Sequence, residues 1–481
     1  MVGLPDNAVR ESQQRITTAF ESLGLRMPGR KVVINMAPAD LKKVGSAYDL
    51  PIALSILAAS EQIRAPELSS FVCMGELALD GRMRPISGAL SIALHARKEG
   101  FKGCVFPLEN AIEAASVEGI DIYGATHLSQ VISLLEGNHA LLPLRAPEWS
   151  SNNEYSNGLD FAEVKGQEQA KRALIIAATG GHNVLMIGPP GSGKSFMAKC
   201  LPSILPPLTK EEAMEVTRIY SASCRYSTDT EFSNAELAYG LIRCRPFRAP
   251  HHTASMISLV GGGPNIMPGE ISLSHHGVLY LDEIPEFSRH TLEVLRQPLE
   301  ERVITLARMR YRVTYPANFM LVASMNPCPC GYYGSNKRNC TCSQNDVQRY
   351  MNRISGPLFD RIDLHVSIEA LSTDELLNSS TARSSFEIRE VVVAARKKAS
   401  IRFEKDFSIF ANAQMTRKLI QRHCSIDNAS TAYLKHCIHT LGLSARAFDR
   451  ILKVARTIAD LEEASDIQME HIAEAVQYRV M

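Results

Sequence analysis

The stretch from residue 184 to residue 195 constrains this chain more than any other. Val184-Leu185-Met186-Ile187 runs without a break into Gly188-Pro189-Pro190-Gly191-Ser192-Gly193-Lys194-Ser195. An apolar strand that turns at once into G-x-x-x-x-G-K-[ST] is a phosphate-binding loop, and it requires a buried strand before it and a helix after it. The glycines let backbone N–H groups wrap phosphates, and the start of the following helix adds favourable partial charge. In such a loop Lys194 reaches the β- and γ-phosphates of ATP, and the Ser195 hydroxyl holds Mg²⁺.

A second apolar strand, Gly277-Val278-Leu279-Tyr280-Leu281, ends in Asp282-Glu283. At this distance behind a phosphate loop the two carboxylates form a hydrolytic pair, Asp282 on the metal side and Glu283 as the base for the attacking water. A third strand, Leu321-Val322-Ala323-Ser324-Met325, ends in Asn326. An amide there can both donate and accept, which suits it to sense the γ-phosphate. Arg361, in Leu358-Phe359-Asp360-Arg361-Ile362-Asp363, is a candidate finger for a neighbouring subunit's γ-phosphate. Arg446, at the start of the helical pattern 444–461, is a candidate contact from a lid. An arginine that acts in trans implies a ring. These motifs predict an α/β fold of the P-loop AAA+ class, with a parallel-sheet core and a helical C-terminal lid.

The 481 residues are too many for one ordinary domain, and length alone predicts about two to four. Residues 1–143 alternate β-rich runs (31–35, 103–107) with apolar helical stretches such as 51–60, the pattern of an α/β or α+β domain. Residues 144–158 lack periodicity and read as a linker, residues 159–370 as the ATPase core, and residues 371–481 as a helical lid. A net charge of +1 excludes a uniformly basic nucleic-acid protein but not a local basic loop. No secretory signal or uninterrupted apolar span is found, so a cytoplasmic protein with no membrane contact is expected.

Of the 11 cysteines, seven stand singly and four form Cys328-x-Cys330 and Cys340-x-Cys342 on one loop. Four thiols so placed can hold a structural Zn²⁺ with every position filled by protein, although C-x-C is tighter than the usual pair spacing. Iron–sulfur ligation is the alternative.

The strings Val2-Gly3-Leu4-Pro5-Asp6, Ala37-Pro38-Ala39-Asp40, Arg245-Pro246-Phe247-Arg248-Ala249-Pro250-His251-His252 and Asn326-Pro327-Cys328-Pro329-Cys330-Gly331 carry a resemblance. Over nearly its whole length the chain resembles the ComM/YifB proteins, bacterial AAA+ ATPases of the magnesium-chelatase-like group. The resemblance implies a homo-hexameric helicase that drives branch migration of strand-exchange intermediates in natural transformation and recombination, with a recombinase as a possible partner. It also implies a Lon-protease-like N-terminal domain, an insertion in the second core helix and a hairpin before the sensor strand. Members of the group carry strands ahead of the Val-Gly-Leu-Pro-Asp string, so the first domain is expected to lack them.

Lon-type cleavage needs a serine activated by a lysine. The matching positions here are Ala47 and Leu90, with Ser46 one place off, so no peptidase activity is expected. Two β-like runs flank Ala307-Arg308-Met309-Arg310, a basic hairpin whose Arg308 and Arg310 would track DNA phosphates in a ring pore. His251 and His252 lead into a glycine-rich stretch read as a second, mobile DNA loop. The rivals are a chelatase-type ATPase that powers metal insertion through partner subunits, and a protein-remodelling ATPase.

Overall fold

The structure is a computed structural model that describes residues 2–38, 43, 45–138, 141–146, 148–149, 158–223, 240–263, 266–308, 311–334, 338–369, 383–404, 406 and 409–479. The chain divides into two compact units, one formed by 1–151 with 209–243 and the other by 152–208 with 244–481. Residues 209–243 thus pack with the first unit, although in sequence they fall inside the stretch assigned to the ATPase core.

In the first unit helices α1 (Asn7–Ser22) and α2 (Asp49–Ala59) precede strand β1 (Phe71–Cys73) and the small hairpin β2 (Glu76–Leu77)–β3 (Met83–Arg84). Helix α3 (Ala89–Lys98), strand β4 (Gly103–Pro107), helix α4 (Leu108–Ala114), strand β5 (Asp121–Ala125) and helix α5 (Leu128–Leu135) follow. β1, β4 and β5 form a parallel sheet in that order. All of β4 is buried, as a central parallel strand covered on both faces must be. α2 is apolar nearly all round and sits in the core with Ile16, Phe20 and Val131.

At the start of α2 the buried Asp49 takes two bonds from Arg15, at 2.7 and 2.9 Å, and a third from the Leu77 N–H at 3.2 Å. The run 31–35 is not a strand: Asn35 makes a single parallel bridge to Val2. Val33 is 65% exposed, and no second strand flanks this run among the described residues.

The helix Lys210–Ala222 joins this unit through Ser221, whose Oγ and carbonyl accept from the Gly88 N–H at 3.1 and 3.2 Å. Ser221 also donates to the buried Glu113 at 3.0 Å. Trp149, in the expected linker, lies under the Arg243 guanidinium at 5.4 Å.

The second unit begins with helix α6 (Glu168–Gly180), strand β6 (Val184–Ile187) and helix α7 (Lys194–Ile204). Strand β7 (Phe247–Arg248) leads to helix α8 (Met256–Val260), the strands β8 (Gly261–Gly262) and β9 (Met267–Pro268), and helix α9 (Glu270–Leu273). β8 and β9 pair antiparallel, so a small hairpin stands between two short helices. Strand β10 (Val278–Leu281) is followed by helix α10 (Arg296–Glu301), the hairpin β11 (Val303–Arg308)–β12 (Tyr311–Pro316), and strands β13 (Met320–Met325) and β14 (Leu364–Ser367).

Five parallel strands lie in the order β14-β6-β13-β10-β7, the arrangement expected of a AAA+ core. β6, β10 and β13 are buried throughout, which explains their continuous apolar runs. The chain ends in helices α11 (Ser385–Arg402), α12 (Arg417–His423), α13 (Asn428–Leu441), α14 (Ala445–Leu461) and α15 (Met469–Gln477). Ile451, Val454, Ala455 and Ile458 give α14 one buried face at helical spacing, packed in one core with Leu174 and Ala177 of α6.

Candidate nucleotide site

β6 lies between β13 and β14, and the phosphate loop leaves its C-terminal end, the place where open parallel sheets bind ligands. Gly193 has φ 85°, a left-handed turn that glycine takes without steric cost, and the next residue opens α7. Lys194 folds back over the loop. Its ammonium donates to the carbonyls of Gly188 at 2.7 Å and Pro189 at 2.8 Å, with Asn326 Oδ1 further off at 3.4 Å. Burial lowers its pKa, while the charges of Asp282 and Glu283 act to raise it. Lys194 is therefore poised among acceptors that a phosphate can replace, with Asn326 beside it.

At the end of β10 the Ser195 hydroxyl donates to Asp282 Oδ2 at 3.0 Å. A hydroxyl and a carboxylate so placed are the hard oxygen donors that Mg²⁺ takes, and the residues fit that ion. Two further residues, which the sequence reading passed over, complete the cluster. Tyr280 Oη lies 2.9 Å from Asp282 Oδ1, 3.1 Å from Ser195 Oγ and 3.1 Å from Ser324 Oγ. Ser324 in turn donates to Asp282 Oδ1. Partial desolvation by the surrounding side chains works to raise the Asp282 pKa, but the bonds from Ser324, Tyr280 and Ser195 outweigh it and leave Asp282 below its ordinary value.

The signal for both residues was present in the period of two. Tyr280 and Ser324 stand two places before Asp282 and Asn326, so each shares a sheet face with the polar residue at its strand end. Glu283 follows with φ 49°, and its N–H donates to Asp282 Oδ1 at 3.1 Å. That left-handed turn separates the two acidic side chains, and both are exposed.

The two candidate arginines do not touch the phosphate loop of their own chain. Arg361 precedes β14, at the end of the sheet opposite the loop, and is only 5% exposed. Its guanidinium donates to Glu300 and, at 2.6 Å, to the Pro357 carbonyl. Arg446 is exposed in the first turn of α14. One turn later Arg450 pairs with the buried Asp363 at 2.7 Å. In the basic hairpin the backbone of Arg308 pairs with Tyr311, whereas Arg310 lies outside the described residues. The His251 and His252 rings lie 4.0 Å apart, tilted by 35°, and His252 meets Phe287 edge-on at 6.5 Å.

Beyond Asn326 the four cysteines close on one point, every sulfur within 4.8 Å of the others. Cys328 lies 3.3 Å from Cys330 and 3.7 Å from Cys340, and Cys330 lies 3.5 Å from Cys340. Tetrahedral Zn²⁺ at a Zn–S distance of about 2.3 Å needs sulfurs about 3.8 Å apart, so the donor set fits zinc. Backbone N–H groups of Tyr333 and Cys342 donate to the sulfurs of Cys328 and Cys340, the outer support that thiolate ligands use. The loop also touches the nucleotide site: a Cβ at Gly331 would come within 2.6 Å of the Pro190 ring.

In the first unit the positions matched to the Lon dyad remain Ala47, in a one-turn helix, and Leu90, fully buried in α3. Neither side chain carries an acid–base group. Ser46 donates its hydroxyl to Glu76, not to a lysine.

Sheet order, phosphate loop, acidic strand end and helical C-terminal bundle together define a AAA+ ATPase of the magnesium-chelatase-like class. Family models agree along the chain. Residues 160–376 match "Magnesium chelatase, subunit ChlI", residues 1–110 match "Subunit ChlI of Mg-chelatase", and residues 382–479 match the ChlI C-terminal model. YifB of Salmonella typhimurium is 44% identical over 483 residues, covering 100% of this chain and 91% of that protein. The competence protein ComM of Haemophilus influenzae is 42% identical over 486 residues, covering 100% and 92%. The magnesium-chelatase 38 kDa subunit of Cereibacter sphaeroides is 27% identical over 177 residues, which is 35% of this chain and 52% of that subunit. The chain belongs to the ComM/YifB family of magnesium-chelatase-like AAA+ ATPases. Among the described residues no helix is long and apolar enough to cross a membrane.

Proposed function

We propose that the chain is a ring-forming, ATP-driven DNA motor that moves branched junctions when DNA is integrated in natural transformation or recombination. In this reading Lys194 and the loop 188–195 hold the phosphates, Ser195 and Asp282 hold Mg²⁺, and Glu283 deprotonates the water. Asn326 senses the γ-phosphate, and Arg361 and Arg446 stabilise charge at subunit boundaries. The four cysteines staple their loop through Zn²⁺.

The observation that carries the reading is the connection between hairpin and sensor. Hairpin β11–β12 leads directly into β13, whose end is Asn326 beside Lys194. A change at the γ-phosphate thus has a short covalent path to the hairpin, whose sequence carries Arg308 and Arg310. Six such hairpins in a hexamer would line a pore that grips DNA without regard to sequence. Likeness to a competence protein, 42% identical over the whole chain, favours DNA over metal insertion, since the chelatase subunits are only 25–27% identical over at most 48% of the chain.

The test is the steady-state ATPase rate with and without four-way-junction DNA at fixed low salt. Strong stimulation that vanishes in Lys194→Ala is expected. A healthy basal rate with no response to any DNA would sink the reading and favour a chelatase-like or protein-remodelling motor.

A further inference from the structure

At the end of the sheet opposite the phosphate loop, a cavity of about 310 Å³ opens between the starts of the core strands and helix α14. Asn183, Phe319 and Asp363, each just before a strand, line one side, and Arg450 and Lys453 line the other. Arg302, at the foot of hairpin β11–β12, reaches in from a left-handed turn at φ 56°.

The charges here do not balance. Both carboxylates are already engaged, Asp363 by Arg450 at 2.7 Å and Glu300 by Arg361. Arg302 donates to the neutral side chain of Asn318, and Lys453 donates to the Ala413 carbonyl at 2.9 Å. Neither forms an ion pair with a carboxylate among the described residues. Burial lowers the Arg302 pKa to about 10 and lowers that of Lys453; the Asp363 charge acts to raise both, while the charges of Arg450 and Arg302 oppose it at Lys453. Two half-buried cations that line one cavity and share only the Asp363 charge, already paired with Arg450, leave room for an anion.

We propose that Arg302 and Lys453 form a binding site for a tetrahedral oxyanion of the phosphate class, distinct from the phosphate loop. A phosphate offers several acceptor oxygens, enough for a guanidinium fork and an ammonium at once. Bound there, it ties the foot of the basic hairpin to the lid helix α14. The phosphate is either free in solution or the terminal group of a nucleotide presented by a second copy of the chain.

The site needs no ATP hydrolysis, so it is tested in the full chain carrying Lys194→Ala, which weakens the phosphate loop. Inorganic phosphate is titrated at constant ionic strength and followed by thermal unfolding and phosphorus NMR line width. We expect saturable binding, weakened at least about tenfold by Arg302→Gln or by Lys453→Gln and kept by Lys453→Arg. A parallel titration with ATP at rising protein concentration, in Glu283→Gln chains whose phosphate loop is intact, separates the sources. A response to ATP alone that needs both residues and grows as chains associate assigns the site to a neighbour's nucleotide.

Phosphate binding unchanged by both substitutions, or no response to either ligand, overturns the proposal. If the neutral variants fail to fold, acylation of Lys453 in otherwise unaltered protein decides the matter. Protection by phosphate supports the site, and undiminished labelling rejects it.

Discussion

Glu283 combines an exposed carboxylate with a left-handed backbone at φ 49°, a conformation that costs a non-glycine residue about 1 kcal/mol or more. The Asp282 cluster makes that turn tenable by bonding the Glu283 N–H. If Glu283 is the base, Glu283→Gln lowers kcat about a hundredfold or more while nucleotide affinity stays near the parent value. Turnover and filter binding measured side by side check this, and full turnover in the variant would place the base elsewhere.

Glu113 makes the second prediction at this scale. Burial raises its pKa from 4.5 to about 7, with partial offset from Ser221 and Asn110. The folded first unit then binds more protons than the unfolded chain between these two values. Its stability is full below about pH 4.5, falls as pH rises towards 7, and levels off above that. Glu113→Gln should remove this dependence, stabilising the first unit at pH 8 by on the order of 2 kcal/mol and changing little at pH 5. Urea unfolding at the two pH values, followed by a probe in that unit, gives the comparison, and an equal effect at both would refute it.

Among elements, the cysteine loop shows how far a sequence pattern reaches. The pairs Cys328/Cys330 and Cys340/Cys342 were legible as a ligand set, because chemistry and spacing are local. That the loop lies against the phosphate loop, through Gly331 and Pro190, was not legible, since 140 residues separate them. We predict about one zinc per chain by elemental analysis. Cys340→Ser should release the metal and slow ATP turnover several-fold through the loosened Pro190 contact. A metal-free parent with the same activity would show that the cluster is no zinc staple. Helix α14 was likewise readable from periodicity, and strands β6, β10 and β13 from their continuous apolar runs. The run 31–35 was not, because β-rich composition makes a strand only where a neighbour supplies hydrogen bonds.

At the scale of the whole molecule, the position of Arg361 carries the argument. It stands at the sheet end away from its own phosphate loop, so a role in hydrolysis there requires a second chain. Specific ATPase activity should therefore rise with protein concentration. Arg361→Ala should lower turnover about a thousandfold, in the range of arginine fingers, with nucleotide binding intact. Mixing Arg361→Ala chains with Lys194→Ala chains should restore part of the activity, since each supplies what the other lacks. Turnover independent of concentration, with no rescue on mixing, would leave Arg361 as the structural partner of Glu300.

The sequence alone determined what depends on neighbours along the chain: the phosphate loop, the acidic strand end, the cysteine pairs and the amphipathic lid helices. These follow from spacing, backbone freedom and side-chain chemistry within a few residues. Only the tertiary structure decided that β10 and β13 lie side by side, so that Ser324 reaches Asp282, and that residues 209–243 pack with the first unit. It also decided that Arg302 and Lys453 share one cavity. Each of these joins residues tens to hundreds of positions apart, and such pairings are set by how strands order in a sheet and which faces helices bury.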